Sequence, residues 1–210
     1  MAENNKKIDW KKVTRLALIL LLITVAAACC LALTNAVTKE IIAGQKLKRA
    51  DEAKAFVMPD ADAFETMDAE AVKALAEKAD PETAEMVSEI AVAKKDGQPI
   101  GVVIKTTPSG YGGEIELLTG LMKDGTISGI TFLSLKETAG LGMRADQPEF
   151  KEQYIGLKYS DDNVIDVVKN GGASGNDINA IAGATVTSKA VTKGVNIACR
   201  VFEELKGGLK

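Results

Sequence analysis

Asn179-Ala180-Ile181-Ala182-Gly183-Ala184-Thr185-Val186-Thr187-Ser188 is the stretch from which the chain is best read, because its small residues and hydroxyls stop where a long amphipathic pattern begins. From Val191 the apolar residues fall at Val195, Ala198, Phe202 and Leu205, steps of four and three that keep one helix face towards a core. The helix is therefore expected to start between Thr185 and Ser188. A helix start exposes unpaired backbone N–H groups and the positive end of the helix dipole, and Gly183 and Ala184 let another group approach closely. Such a place suits a phosphate. The plain alternative is that Thr185, Thr187 or Ser188 is an N-cap and nothing more.

Working upstream, Lys169 to Asn176 reads as a Gly-rich loop, Val164 to Val168 as a strand, and Gln147 to Gly156 as a short helix with Phe150, Tyr154 and Ile155 on one side. Before these, two hairpins follow each other. The first has β-branched runs Ile90 to Val92 and Ile100 to Ile104 around Lys95-Asp96-Gly97-Gln98; the second has Glu114 to Met122 and Ile127 to Leu135 around Lys123-Asp124-Gly125. Consecutive hairpins imply an antiparallel sheet. Between them lies the loop Ser109-Gly110-Tyr111-Gly112-Gly113, and after the second comes Glu137-Thr138-Ala139-Gly140-Leu141-Gly142.

The first part of the chain has a different composition. Lys6, Lys7, Lys11, Lys12 and Arg15 precede an apolar stretch from Leu16 to Val37, long enough to cross a bilayer as a helix. Basic residues on that flank put residues 1–15 in the cytoplasm and the rest outside it. A cleaved signal peptide, with Ala26-Ala27-Ala28 as cleavage site, or a lipoprotein site at Ala28-Cys29 are the alternatives. Residues 38–88 read as a stalk followed by short acidic helices interrupted by Pro59 and Pro81, and residues 89–210 as the sheet domain. The expected fold is thus α+β: an antiparallel sheet with packed helices on a single N-terminal transmembrane helix.

Composition removes several chemistries. A net charge of −3 does not provide the clustered basic excess of a nucleic-acid surface. The chain has no histidine, which rules out His-ligated haem, His-based zinc sites and Ser/His or Cys/His catalysis. Its three cysteines, Cys29, Cys30 and Cys199, lack Cys-x-x-Cys spacing and read as structural. No metal site and no catalytic acid–base pair is expected, so any cofactor must be organic.

Gly183-Ala184-Thr185-Val186-Thr187 resembles the acceptor motif of the FMN-binding domain family, usually Asp-x-x-Ser/Thr-Gly-Ala-Thr, with Asn179 and Ala182 as departures. Gly110-Tyr111-Gly112-Gly113 and the segment Glu137 to Gly142, with Ala139 in place of the usual proline, are similar to two further motifs of that family and arrive in its order. The resemblance implies FMN held by a phosphoester on Thr185, with Thr187 as runner-up. It also implies that Glu137, Thr138, Gly140 and Leu141 line the flavin pocket, and that Gly183, Ala184, Ser188 and Lys189 (or Lys193) surround the phosphate.

Among families with this domain on one N-terminal anchor, the chain most resembles the G subunits of the Rnf ion-translocating electron transport complexes. Their relatives, the C subunits of sodium-pumping NADH:quinone reductases, are generally longer. That resemblance implies an electron relay between ferredoxin and NAD coupled to Na+ or H+ movement, other membrane subunits and the lipid bilayer as partners, and a flavin transferase for maturation. The competing reading is an anchored extracytoplasmic binding domain without flavin.

Overall fold

The computed structural model describes residues 10–169 and 171–208; Lys6 and Lys7 of the expected basic flank lie outside them. Two compact units are present, Met1–Lys48 and Arg49–Lys210. The first consists, among the described residues, of helix α1 (Trp10–Val57) as far as Lys48, where its large apolar side chains such as Leu20, Leu31 and Leu33 are exposed; α1 is long and apolar enough to cross a membrane. Thr14, Thr24, Thr34 and Thr38 turn their hydroxyls back onto carbonyls three or four residues earlier, so the helix offers few free polar groups to lipid.

The second unit is built on a five-stranded antiparallel meander, β1 (Ala63–Thr66), β2 (Val87–Lys95), β3 (Gln98–Thr106), β4 (Glu116–Met122) and β5 (Ile127–Ser134), in that spatial order. Strand alternation divides the side chains between two faces. On one face Val102, Ile104, Leu117, Leu121 and Ile130 pack beneath α2 (Ala69–Ala79) and α4 (Thr185–Leu205), forming the main core with Val191, Val195, Ala198 and Phe202. On the other, Ala93, Val103 and Leu118 are covered by Val57 and Met58 at the end of α1. There Ser128 Oγ donates to the Val57 carbonyl at 2.6 Å, and Lys54, 7% exposed, pairs with Glu89 at 2.5 Å. A Cβ on Gly120 would come within 2.6 Å of the Val57 carbonyl oxygen.

After β5 the chain forms a 3-10 turn (Gly142–Asp146), the short helix α3 (Pro148–Lys151), another 3-10 turn (Glu152–Tyr154) and a two-stranded parallel ribbon, β6 (Asp166–Val168) with β7 (Asp177–Asn179). The expected α+β arrangement and both hairpins are present. The stalk is a direct continuation of the apolar helix, α1 running on to Val57. Three details differ. The compact unit starts at Arg49, not at residue 89, because β1 pairs with β2 and α2 packs against both β2 and α4. The helix expected over Gln147 to Gly156 is broken into α3 and a 3-10 turn. β7 appears in a stretch too short and polar to show a strand pattern, its pairing supplied by β6.

Candidate functional site

Helix α4 begins at Thr185, with Ala184 as its N-cap and no side-chain cap bond. The hydroxyl reading as an N-cap is therefore not realised. Ser188 instead sits fully buried, its Oγ accepting the Ile181 N–H at 3.0 Å and donating to the Ala184 carbonyl at 3.0 Å. It fastens the preceding turn to the helix. Gly183 has φ +78°, a left-handed conformation open to glycine at little cost, which reverses the chain directly before the helix. The first backbone N–H groups of α4 consequently lack a side-chain cap.

The helix start borders a cleft of about 590 Å³ lined by Tyr111, by Glu137, Thr138, Leu141 and Gly142, and by the turn from Gly183 to Thr187. Its volume lies within the few-hundred to roughly 1,000 Å³ typical of small-molecule sites. Thr185 is half-buried, while Thr187 is 1% exposed. Tyr111, Leu141 and Val186 are 75%, 43% and 56% exposed, giving the cleft an apolar rim suited to a planar ring.

The other wall is organised by Glu137. Its Oε1 accepts the backbone N–H groups of Tyr111 at 2.8 Å and Gly112 at 3.3 Å. The glycine loop thus cradles a carboxylate of the protein itself. A Cβ on Gly110 would collide with Glu137 Oε1, and one on Gly112 with the Lys136 carbonyl. At Gly142 a Cβ would lie 2.6 Å from Glu137 Oε2 and 2.7 Å from Thr187 Oγ1. The loop closes on itself through Thr138, whose carbonyl accepts the N–H of Leu141 at 3.1 Å and of Met143 at 3.2 Å, with Gly140 at φ +76°.

Of the residues expected from sequence, the fold brings Glu137, Thr138, Leu141, Gly183, Ala184, Thr185 and Thr187 to one cleft. Gly140 shapes the turn. Ser188 is turned into the core, and Lys189 lines a separate cleft of about 430 Å³ with Lys193 and Arg200, so neither stands at the expected phosphate position. Tyr111 joins the lining from outside the expected set, although an aromatic between glycines in an exposed loop is a visible signal.

The FMN-binding domain family matches residues 110–200, the span from the glycine loop through most of α4. The G subunit of a Na(+)-translocating ferredoxin:NAD(+) oxidoreductase complex from Acetobacterium woodii is 41% identical over 95% of this chain and 96% of its own length. The chain belongs to the G-subunit family of ion-translocating oxidoreductase complexes. A further member, named for a proton-translocating ferredoxin:NAD(+) oxidoreductase complex of Clostridium ljungdahlii, is 39% identical over 55% of this chain and 60% of its own. In fold, the chain is similar to NqrC of Shewanella oneidensis, with a TM-score of 0.51 and 22% identity over 58% of this chain and 60% of that one.

The cleft has features that fit FMN. The uncapped start of α4 offers backbone donors for a phosphate, the volume and apolar rim accommodate a ring system, and Thr185 brings a hydroxyl-bearing residue to the cleft lining.

Proposed function

We propose that the chain is an electron-transfer subunit that carries FMN through a phosphoester on Thr185 and relays electrons within a membrane ferredoxin:NAD oxidoreductase complex coupled to Na+ or H+ translocation. The observation that carries this reading is the position of Thr185: it is the first residue of α4, half-buried on the cleft shared with Glu137 and Leu141. Thr187 is enclosed at 1% exposure and has no room for an attached group without rearrangement.

Bound FMN supplies one- and two-electron chemistry. The protein's own residues do the rest. The first N–H groups of α4 bind phosphate oxygens, the positive end of the helix dipole offsets their charge, Tyr111, Leu141 and Val186 keep water from the ring, and Glu137 holds the glycine loop in place. No residue here is asked to move a proton. Attachment is the work of a separate flavin transferase acting outside the cytoplasm.

The membrane arrangement has Lys11, Lys12 and Arg15 ahead of the apolar stretch on the cytoplasmic side, with the sheet domain on the outer face and other membrane subunits as electron partners. One of the relatives above is named for sodium and the other for protons, so either ion fits.

The test is intact-mass analysis, with ultraviolet fluorescence of a denaturing gel, on protein made in its own host. Added mass of one FMN less one water, lost in Thr185→Val and kept in Thr187→Val, is the expected result. An unmodified mass overturns the covalent reading and favours an anchored binding domain without flavin. Fluorescence retained in Thr185→Val overturns the choice of acceptor.

A further inference from the structure

The turn that leads into α4 is held at two points by neighbours in the 3-10 turn Glu152–Tyr154. Tyr154, fully buried, hydrogen-bonds Thr192 at 2.7 Å, and Thr192 Oγ1 donates to the Ser188 carbonyl at 3.0 Å. This fixes the helix side of the turn. The strand side depends on Gln153. Its Oε1 accepts the Asn179 N–H at 2.8 Å, and its Nε2 lies 3.5 Å from the Asn179 carbonyl and 3.3 Å from that of Glu149. Among the described residues β7 has a strand partner, β6, on one edge only, and the Gln153 amide occupies the other edge as a neighbouring strand would.

Packing does only part of this job. Ile178, Ile181 and Ala184 are buried in the main core, but a cleft of about 280 Å³, lined by Arg144, Glu149, Phe150, Gln153 and residues 179–182, runs beside the segment. Asn179 and Ala182 carry no apolar anchor of their own, so the peptide around Asn179 depends on its hydrogen bonds to stay closed.

We propose that Gln153 is a positioning residue for the acceptor turn. By bracketing both backbone groups of Asn179 it keeps residues 179–184 in the bent form that sets Thr185 at the head of α4, facing the cleft, and so presents a pre-folded acceptor to the flavin transferase. This rests on the assignment of Thr185 above.

Hydrogen exchange and covalent flavin yield are measured on the full-length chain and two variants made in the same host. In the parental chain the Asn179 amide, whose acceptor is Gln153, exchanges slowly. Gln153→Leu speeds its exchange by about fivefold, the ratio that loss of one net hydrogen bond gives an opening equilibrium, and lowers the flavin-loaded fraction at short induction, while the amides in the middle of α4 keep their protection. Gln153→Glu retains the 2.8 Å acceptor but sets an oxygen against the Asn179 and Glu149 carbonyls, and recovers the exchange protection only in part. An unprotected Asn179 amide in the parental chain overturns the proposal, whether or not the leucine variant folds. So does a Gln153→Leu chain that exchanges and loads like the parent. A parental chain without flavin refutes the acceptor assignment instead, and the exchange measurements still decide whether Gln153 holds the turn.

Discussion

Glu137 and Tyr111 are joined by a 2.8 Å bond from the Tyr111 amide to the Glu137 carboxylate, across 26 residues of sequence. A charged acceptor taking two backbone donors contributes more than a neutral pair. Glu137→Ala is expected to cost about 1–3 kcal/mol in urea denaturation and to release the amides of Tyr111 and Gly112 to exchange. Glu137→Gln, which keeps a carbonyl acceptor at the same reach, recovers more than half of that.

Gly142 is enclosed between the Glu137 carboxylate and the Thr187 hydroxyl. Gly142→Ala forces both aside and should destabilise by about 1–3 kcal/mol, read as a lowered thermal midpoint. Gly172→Ala, where an added Cβ meets nothing within 4 Å, serves as the control and should leave the midpoint within about 0.5 kcal/mol of the parent.

Tyr154 and Thr192 offer a sharper comparison. Burial pushes the Tyr154 phenol far above its ordinary pKa, only partly offset by the Thr192 bond, so the hydroxyl stays neutral at all working pH. Tyr154→Phe removes one bond and leaves Thr192 bonded to Ser188, at a cost of about 1 kcal/mol. Thr192→Val strands a buried phenol hydroxyl and should cost about 1–3 kcal/mol. The double variant should cost less than the two singles summed, which a double-mutant cycle in urea measures directly.

Asp124 gives the pH dependence. The bond from Lys158 and then those from the Thr126 backbone and hydroxyl hold its carboxyl down to about 2, from 3.8. Because the folded-state value is depressed, the associated stability is complete above about pH 4 and disappears as pH falls through about 2. Asp124 and Lys158 are both exposed, so Asp124→Asn should cost no more than about 1 kcal/mol at pH 7. The parent and variant curves should converge near pH 2.

The acceptor motif's departure at Asn179 is expected to be structurally neutral. Asn179 Oδ1 accepts the Ala173 N–H at 3.2 Å, a bond that a carboxylate makes equally well. Asn179→Asp should therefore melt within about 0.5 kcal/mol of the parent, and its flavin loading, read by intact mass, should be at least as high.

Much of this architecture is legible in sequence, and the exceptions share a physical cause. Apolar periodicity announces α4, and turn residues between β-branched runs announce β2 to β5, because those elements bury a regular face. β1 has only Phe64 as a large apolar residue in four, and β7 only Ile178 in three; their pairing comes from neighbours distant in sequence. The cleft is legible as motifs, but its construction is not. Nothing local says that the glycines at 110 and 112 make room for Glu137 and Lys136, that Gln153 grips Asn179, or that Lys189 turns to another cleft.

The end of α1 carries a practical consequence. The change in polarity after Val37 suggests an easy place to sever anchor from soluble part, and the strand pattern invites a cut at residue 89. Yet Val57 and Met58 lie over the second face of the sheet, and Lys54 neutralises Glu89 at its margin. A protease or a cloning boundary that removes them would uncover an oily floor and strand the Glu89 charge, and the released fragment would tend to self-associate. A soluble form of this protein has to begin no later than about residue 49, the first of the compact unit, and thus keeps the tail of its own membrane helix as a structural part.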